Sequence, residues 1–251
     1  MPISQTQDKL LLTDQKLPSF DLIVPCYNPP KGWEKNFSEK VNLLRKHLED
    51  VTINIILVND GSTQNFSEKE VSFLTNNCAN LEIVTQITNQ GKGSALRKGV
   101  ALAKSKLQIF TDIDFPYTLP SILAIYKTLI TGADVALGNR KSDYYQTVPF
   151  ARRVISKFLR WVLKTVLKLP ITDTQCGLKG FNAKGKEVFL NTKINRFLFD
   201  LEFVKMTTSK NTDLSVIPVE VKLRPDVVFS KMNYKVLLGE SVNFARLFLG
   251  K

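Results

Sequence analysis

Residues 53–63 read INIILVNDGST: a nearly unbroken aliphatic run that stops at Asn59-Asp60-Gly61. A run without polar alternation predicts a strand buried on both faces, and the glycine lets the chain turn sharply at its end. The same grammar recurs on both sides of it. DLIVPCYN at 21–28, LEIVTQI at 81–87, LQIFTDID at 107–114 and ADVALGNR at 133–140 are further strand candidates. Between them lie helical patterns at about 38–49, 67–77, 92–104 and 118–131. Strands alternating with helices predict an α/β fold with a mostly parallel central sheet flanked by helices. Such sheets bind ligands beyond the carboxyl ends of their strands. Those ends here are Asn28, Asn59-Asp60-Gly61, Asp112 with Asp114, and Asn139-Arg140, so topology gathers them along one edge.

Composition narrows the chemistry. The 251 residues carry 35 Lys+Arg against 23 Asp+Glu, a net charge of +12, which favours polyanionic partners: nucleic acid, phosphate-bearing ligands or an anionic membrane surface. A hydrophobic content of 43% rules against global disorder. His47 is the one histidine, which excludes most histidine-based triads and metal sites, and leaves oxygen-ligated Mg²⁺ or Mn²⁺ as the metals to expect. Cys26, Cys78 and Cys176 are odd in number and far apart, predicting no disulfide framework and a reducing compartment. The polar N-terminus does not read as a signal peptide, and no stretch is apolar enough to predict a transmembrane helix.

Three constellations carry possible chemistry. Asp112 and Asp114, a D-x-D at a strand end, put two carboxylates where both can face one divalent cation on a diphosphate; an ordinary acidic turn is the competing reading. Asp60 in VNDGST either accepts hydrogen bonds from a base or ribose or caps a strand-to-loop turn. NQGKGSALRKGV at 89–100 resembles a phosphate-cradling turn, with Gly91 and Gly93 admitting close backbone approach and Lys92 and Arg97 supplying charge; a flexible loop with a solvated basic face is the alternative.

Taken in order, VPCYN, VNDGS, NQGKGSAL, TDID, GNR and TDTQCGLKGF resemble a family 2 glycosyltransferase of GT-A fold over about Asp21 to Met232. Within that family the resemblance is to dolichyl-phosphate mannose synthases, dolichyl-phosphate glucosyltransferases and bacterial polyprenyl-phosphate relatives. TDTQCGLKGF at 172–181 and FDLEF at 199–203 are the most discriminating segments. The resemblance implies that Pro25, Tyr27, Asn28, Asp60, Lys92, Asp112 and Gln175 bind the nucleotide-sugar donor, UDP-glucose or GDP-mannose. It implies Mg²⁺ or Mn²⁺ on Asp112 and Asp114, and a catalytic group of Asp114, Asp173 and Arg140. Arg140, Arg152, Arg153, Ser230 and Lys231 would meet the acceptor phosphate, while Asp200 and Glu202 complete a polar wall. Pro116 departs from the pattern, standing where mannose synthases often carry a glutamine, so a third metal ligand is absent from that position.

Residues 149–169, PFARRVISKFLRWVLKTVLKL, contain six basic residues and no acidic one. Arg153, Lys157, Arg160, Lys164 and Lys168 fall on one helical stripe opposite a broad apolar face, a pattern suited to a membrane interface. A core helix with a basic back and a nucleic-acid groove are the alternatives. The expected organisation is a leader at 1–18, a transferase domain at 19–232 and a C-terminal amphipathic helix at 233–251. The expected activity is inverting transfer of glucose or mannose to a polyprenyl or dolichyl phosphate, on the cytoplasmic face of a membrane, with a separate membrane-protein partner and no nucleic acid. Two other readings stand beside it: transfer to a sugar hydroxyl of a surface polysaccharide, and a non-catalytic basic module on the same scaffold.

Overall fold

A computed structural model describes residues 17–140, 173–209 and 211–227 of the chain. The helices expected at 149–169 and 233–251 and nearly all of the expected leader lie outside these residues. Five strands and four helices follow the predicted rhythm: β1 (Phe20–Cys26), α1 (Trp33–His47), β2 (Ile53–Asp60), α2 (Glu68–Asn77), β3 (Leu81–Gln86), α3 (Lys92–Leu102), β4 (Leu107–Phe110), α4 (Leu119–Ile130) and β5 (Val135–Arg140). Then come β6 (Lys179–Phe181), α5 (Ala183–Leu190), α6 (Phe199–Thr207) and β7 (Val216–Val221).

The strands form one sheet in the order β3-β2-β1-β4-β6-β5-β7. β1 pairs in parallel with β2 and β4, β2 with β3, and β5 with β7; β6 runs antiparallel between β4 and β5. Because successive strand side chains face opposite sides, each strand feeds two cores. Leu22, Val24, Ile55, Leu57 and Ile109 pack with Phe37 and Leu44 of α1, Leu74 of α2 and Ile125 and Leu129 of α4. Ile23, Ile56, Val58, Phe110 and Val135 pack with Leu96 and Val100 of α3, Phe189 of α5 and Phe199 and Phe203 of α6. The result is a sheet between two helical layers.

The second core is centred on aromatic rings. Phe110, Phe181, Phe189, Phe199 and Phe203 stand with centroids 5.1–6.3 Å apart, mostly edge-on or tilted, the arrangement that ring quadrupoles favour. This cluster fixes α6 beneath the carboxyl end of β4, where the acidic motif begins.

Candidate active site

The aspartates of TDIDFP lie on a turn, not on the strand predicted for 107–114. β4 ends at Phe110. Thr111 N–H still donates to the carbonyl of Ile23 at 3.3 Å, and then Phe115 N–H donates to the carbonyl of Asp112 at 3.0 Å, closing a β-turn that carries both acids. Phe115 adopts φ +46°, an uncommon conformation for an aromatic residue. It is held there by burial, by an edge-on contact with Phe37 at 5.7 Å, and by Arg224 Nε donating to its carbonyl at 2.8 Å. Arg224 Nη2 also donates to the carbonyl of Asp114 at 3.1 Å, and Nη1 pairs with Asp226 at 2.6 Å. Residues 222–224 run back along 116–118: Thr118 N–H donates to Lys222 at 2.9 Å, and Arg224 N–H to Pro116 at 2.8 Å. Pro116 therefore contributes its carbonyl to the support of the turn. Sequence reasoning missed Arg224, whose partners in the turn, Asp114 and Phe115, lie more than 100 residues away along the chain.

Behind the turn stands a row of alternating charges. Lys92, the first residue of α3, places Nζ 2.5 Å from Asp112 Oδ1 and 5.9 Å from the centre of the Phe199 ring. Asp200 in the first turn of α6 pairs at 2.6 Å with Lys179, which is fully buried, donates to the carbonyl of Cys176 and lies 5.7 Å from the Phe110 ring. Burial pulls the Lys92 ammonium down, but Asp112 and Asp200 outweigh it and hold the ammonium above its ordinary range. Burial, with Asp112 as a like charge, pushes the Asp114 carboxyl up; Lys92 and Arg224 only partly oppose this. Burial likewise raises the Asp200 carboxyl, opposed by Lys179 and Lys92.

The two aspartates fit a divalent cation of one kind. Among the described residues no group of three or more potential side-chain ligands exists, so no all-protein cage is formed. Mg²⁺ ordinarily takes one or two carboxylates and completes its shell with water and substrate phosphates. A half-exposed Asp112 and an Asp114 carboxyl destabilised by its neighbour match that donor set, because a shared cation would relieve the repulsion between them.

The nucleotide-side residues lie at the ends of β1 and β2, next to one another in the sheet. Pro25 is buried in β1, and Tyr27 is 51% exposed just beyond it. Asn28, at φ +43°, accepts from Thr63 N–H at 2.8 Å and Gln64 N–H at 3.1 Å, while its own N–H donates to Ser62 Oγ at 2.9 Å. Asp60 is buried, and its carboxylate accepts four hydrogen bonds: Gln86 Nε2 and Gln90 N–H on Oδ1, Asn89 Nδ2 and Gly91 N–H on Oδ2, all at 2.8–2.9 Å. Those four fill a carboxylate's acceptor capacity. In this structure Asp60 anchors the 89–91 loop.

The phosphate-cradle reading of 89–100 needs correction for the same reason. The amides of Gln90 and Gly91 point to Asp60, and those of Gly93 and Ser94 donate to the carbonyl of Asn195 at 2.7 and 3.1 Å. Arg97 spends its guanidinium on Thr192, the Ile194 carbonyl and Asn195. The glycines serve close packing: Gly61 has φ +68° with space beside Thr88 too tight for a side chain, and Gly91 has φ +105° against the Asn195 carbonyl. The loop therefore positions Lys92 instead of presenting amides. Glu202 proves to be part of the same support. It accepts from Lys193 N–H and Ile194 N–H at 2.8–3.0 Å, and two residues along a helix point roughly 200° apart, so it does not share a wall with Asp200.

β6 explains how the TDTQCG segment reaches the site. An antiparallel strand starts at the edge where its parallel neighbours end, so residues 173–178 lie over the carboxyl ends of β4 and β5. There Arg140 and Asp173 form a buried two-pronged pair: Arg140 Nε meets Oδ2 at 2.8 Å and Nη2 meets Oδ1 at 2.6 Å, and the Arg140 backbone N–H adds a third bond to Oδ2 at 2.8 Å. Burial lowers the Arg140 guanidinium, but Asp173 holds it well above its ordinary value. Tyr117 links the two halves of the rim: its hydroxyl accepts from Gly177 N–H at 2.8 Å and lies 3.3 Å from Cys176 Sγ. Gln175 leaves Nε2 buried without a partner, and Thr174 and Thr111 likewise leave Oγ1. Arg152, Arg153, Ser230 and Lys231 lie outside the described residues.

The model of Glycosyl transferase family 2 matches residues 21–188, the stretch that holds both the acidic turn and the Arg140–Asp173 pair. The chain belongs to glycosyl transferase family 2. Relatives in the family include a dolichyl-phosphate beta-glucosyltransferase of Trichomonas vaginalis, 29% identical over 214 residues, covering 79% of this chain and 64% of the relative. A protein of the same name from Saccharomyces cerevisiae is 26% identical over 255 residues, covering 87% and 75%. This chain thus spans just under two thirds of the Trichomonas relative. Mannosyl-3-phosphoglycerate synthase from Rubrobacter xylanophilus superposes with a TM-score of 0.63 over 93% of this chain and 75% of its own, at 9% identity. The shared architecture is the GT-A fold that the ordered motifs imply. Among the described residues, no helix of this family 2 chain is long and apolar enough to cross a membrane.

Proposed function

We propose that this family 2 chain is an inverting hexosyltransferase that moves glucose, or alternatively mannose, from a nucleoside-diphosphate sugar to a polyprenyl phosphate at a membrane surface. One observation carries the reading: an acidic turn with a lysine against it and a buried Arg–Asp pair share one rim of the sheet, linked through Tyr117 and Gly177. That combines a place for a diphosphate leaving group with a place for a phosphate nucleophile. The relatives that are dolichyl-phosphate beta-glucosyltransferases support glucose and dolichyl phosphate. The basic, apolar 149–169 segment supports work on the cytoplasmic face of a membrane.

An oxygen of the acceptor phosphate attacks the anomeric carbon as the bond to the donor's β-phosphate breaks, and the nucleoside diphosphate leaves with that electron pair. A phosphate monoester has a second pKa of about 6 and is already largely ionised at neutral pH, so little general-base help is needed. Mg²⁺ or Mn²⁺ on Asp112 and Asp114 would supply charge neutralisation at the leaving group. Lys92 adds a fixed positive charge at the same place. Arg140 holds the nucleophile, and Asp173, locked to it by two prongs, orients the guanidinium and is not the base. Asn28, Tyr27 and Pro25 shape the nucleotide end of the cleft, and Gln175 offers an unpartnered amide to the sugar.

The test is transfer from radiolabelled UDP-glucose and GDP-mannose to dolichyl and undecaprenyl phosphate, with Mn²⁺ or Mg²⁺ present. Transfer from UDP-glucose that disappears in Asp114→Asn, with the circular dichroism spectrum retained, supports the proposal. Turnover unchanged by that substitution removes it.

A further inference from the structure

Lys92 is an unusual neighbour for a metal-binding carboxylate. Its ammonium lies 2.5 Å from Asp112 Oδ1, is only 18% exposed, and is surrounded by negative charge: Asp112 in contact, with Asp114 and Asp200 close enough to act on it. Its backbone is fixed at the start of α3, just after Gly91, whose N–H is tied to Asp60, and its end lies over the Phe199 ring. The structure thus contains one cation already paired with one of the two acids that a divalent ion requires. Asp200, directly behind, is itself paired at 2.6 Å with the fully buried Lys179.

We infer that Lys92 is a built-in stand-in for the divalent cation, occupying Asp112 until the donor arrives, and that Asp200, fixed by Lys179, is the positioning residue that receives the displaced ammonium. This rests on the metal-dependent reading of the acidic turn. Two cations cannot use the same carboxylate oxygen without repelling each other, so an ion entering alone must evict Lys92 without compensation. When the ion enters with a nucleoside diphosphate, the phosphates offer Lys92 a new partner and the eviction is compensated. Metal and donor are then admitted together, and the acids are guarded from stray cations between turnovers. Asp200 gives the ammonium a negative neighbour in both positions, and Lys179, 2.6 Å away, keeps Asp200 aimed.

The experiment is Mn²⁺ binding to the full chain, followed by the loss of the free-ion electron paramagnetic resonance signal, with and without UDP or GDP. Lys92→Met removes the charge while keeping an unbranched side chain one atom shorter; Lys92→Arg keeps the charge and serves as the control. An opposite charge this close shifts a neighbour's equilibrium by about tenfold or more. Without nucleotide, Lys92→Met is expected to bind Mn²⁺ about tenfold tighter than the wild type or Lys92→Arg. UDP or GDP should tighten Mn²⁺ binding more in the wild type than in Lys92→Met. Asp200→Asn should reduce that nucleotide-linked gain while leaving nucleotide-free binding near the wild-type value. Binding that Asp112→Asn abolishes but Lys92→Met leaves unchanged overturns the stand-in role and spares the metal reading. No Mn²⁺ binding in any variant, even with nucleotide, or binding indifferent to Asp112→Asn, removes both.

Discussion

Replacing Asp60 by Asn should destabilise the whole protein, not merely weaken a nucleotide contact. The carboxylate is buried and accepts two hydrogen bonds on each oxygen at 2.8–2.9 Å. An asparagine of nearly equal volume exchanges one of those oxygens for an NH₂ group. Whichever way the amide turns, its nitrogen faces two donors: Gln86 Nε2 and Gln90 N–H, or Asn89 Nδ2 and Gly91 N–H. Each lost bond to a charged acceptor costs about 1.5–3 kcal/mol, and one of the orphaned donors is always a backbone amide. Allowing for non-additivity among neighbours, the loss should be about 3–5 kcal/mol. For a chain of this size that lowers the thermal midpoint by roughly 6–20 °C. Urea unfolding followed by far-UV circular dichroism measures the difference directly. A loss below about 1 kcal/mol would refute the anchoring argument. If donor affinity fell while stability held, Asp60 would belong to the nucleotide and not to the loop.

Three further outcomes are expected. Arg140→Lys keeps the charge but loses the fork that grips Asp173, so transfer should fall about 100-fold; a variant within about threefold of wild type would remove Arg140 from the acceptor site. Lys179→Met leaves Asp200 buried without its counter-ion and should cost about 3–5 kcal/mol, whereas Lys179→Met combined with Asp200→Leu should recover most of that in chemical denaturation; equal losses in both would show that the ion pair is not the source. Burial pushes the Cys26 thiol up to about 12 and raises Cys78 and Cys176 as well, so the reactive thiolate is scarce until the pH climbs towards those values. Iodoacetamide at pH 8 should therefore leave the native protein unlabelled and modify all three cysteines after denaturation, as mass spectrometry would report.

The first five strands and the four helices between them were legible because their signal is local. Runs such as INIILVND need no partner to be recognised, and the helices between them carry their own periodicity. β6 escaped because three residues, Lys179–Phe181, make no pattern; they are a strand only because β4 and β5 leave a slot between them. The D-x-D acids were found by type and placement. Their turn was not, since it depends on Arg224 and on residues 222–224 running back along 116–118. The glycine-rich 89–100 stretch was misread as an amide cradle because its acceptors, Asp60 and the Asn195 carbonyl, are about 30 and 100 residues distant.

By itself the sequence determined the α/β architecture, the edge on which a site must lie and the residue types able to serve there. These follow from hydrophobic periodicity and from where strands stop, both properties of neighbouring residues. Only the tertiary structure decided which of those side chains are committed to loops and which stand at the rim of the sheet. Asp60, Arg97 and Glu202 hold loops, while Asp112, Lys92 and Arg140 form the rim. A polar group's role depends on whether its hydrogen bonds and charge are already satisfied, and the partners that satisfy them come from elements far apart in the chain.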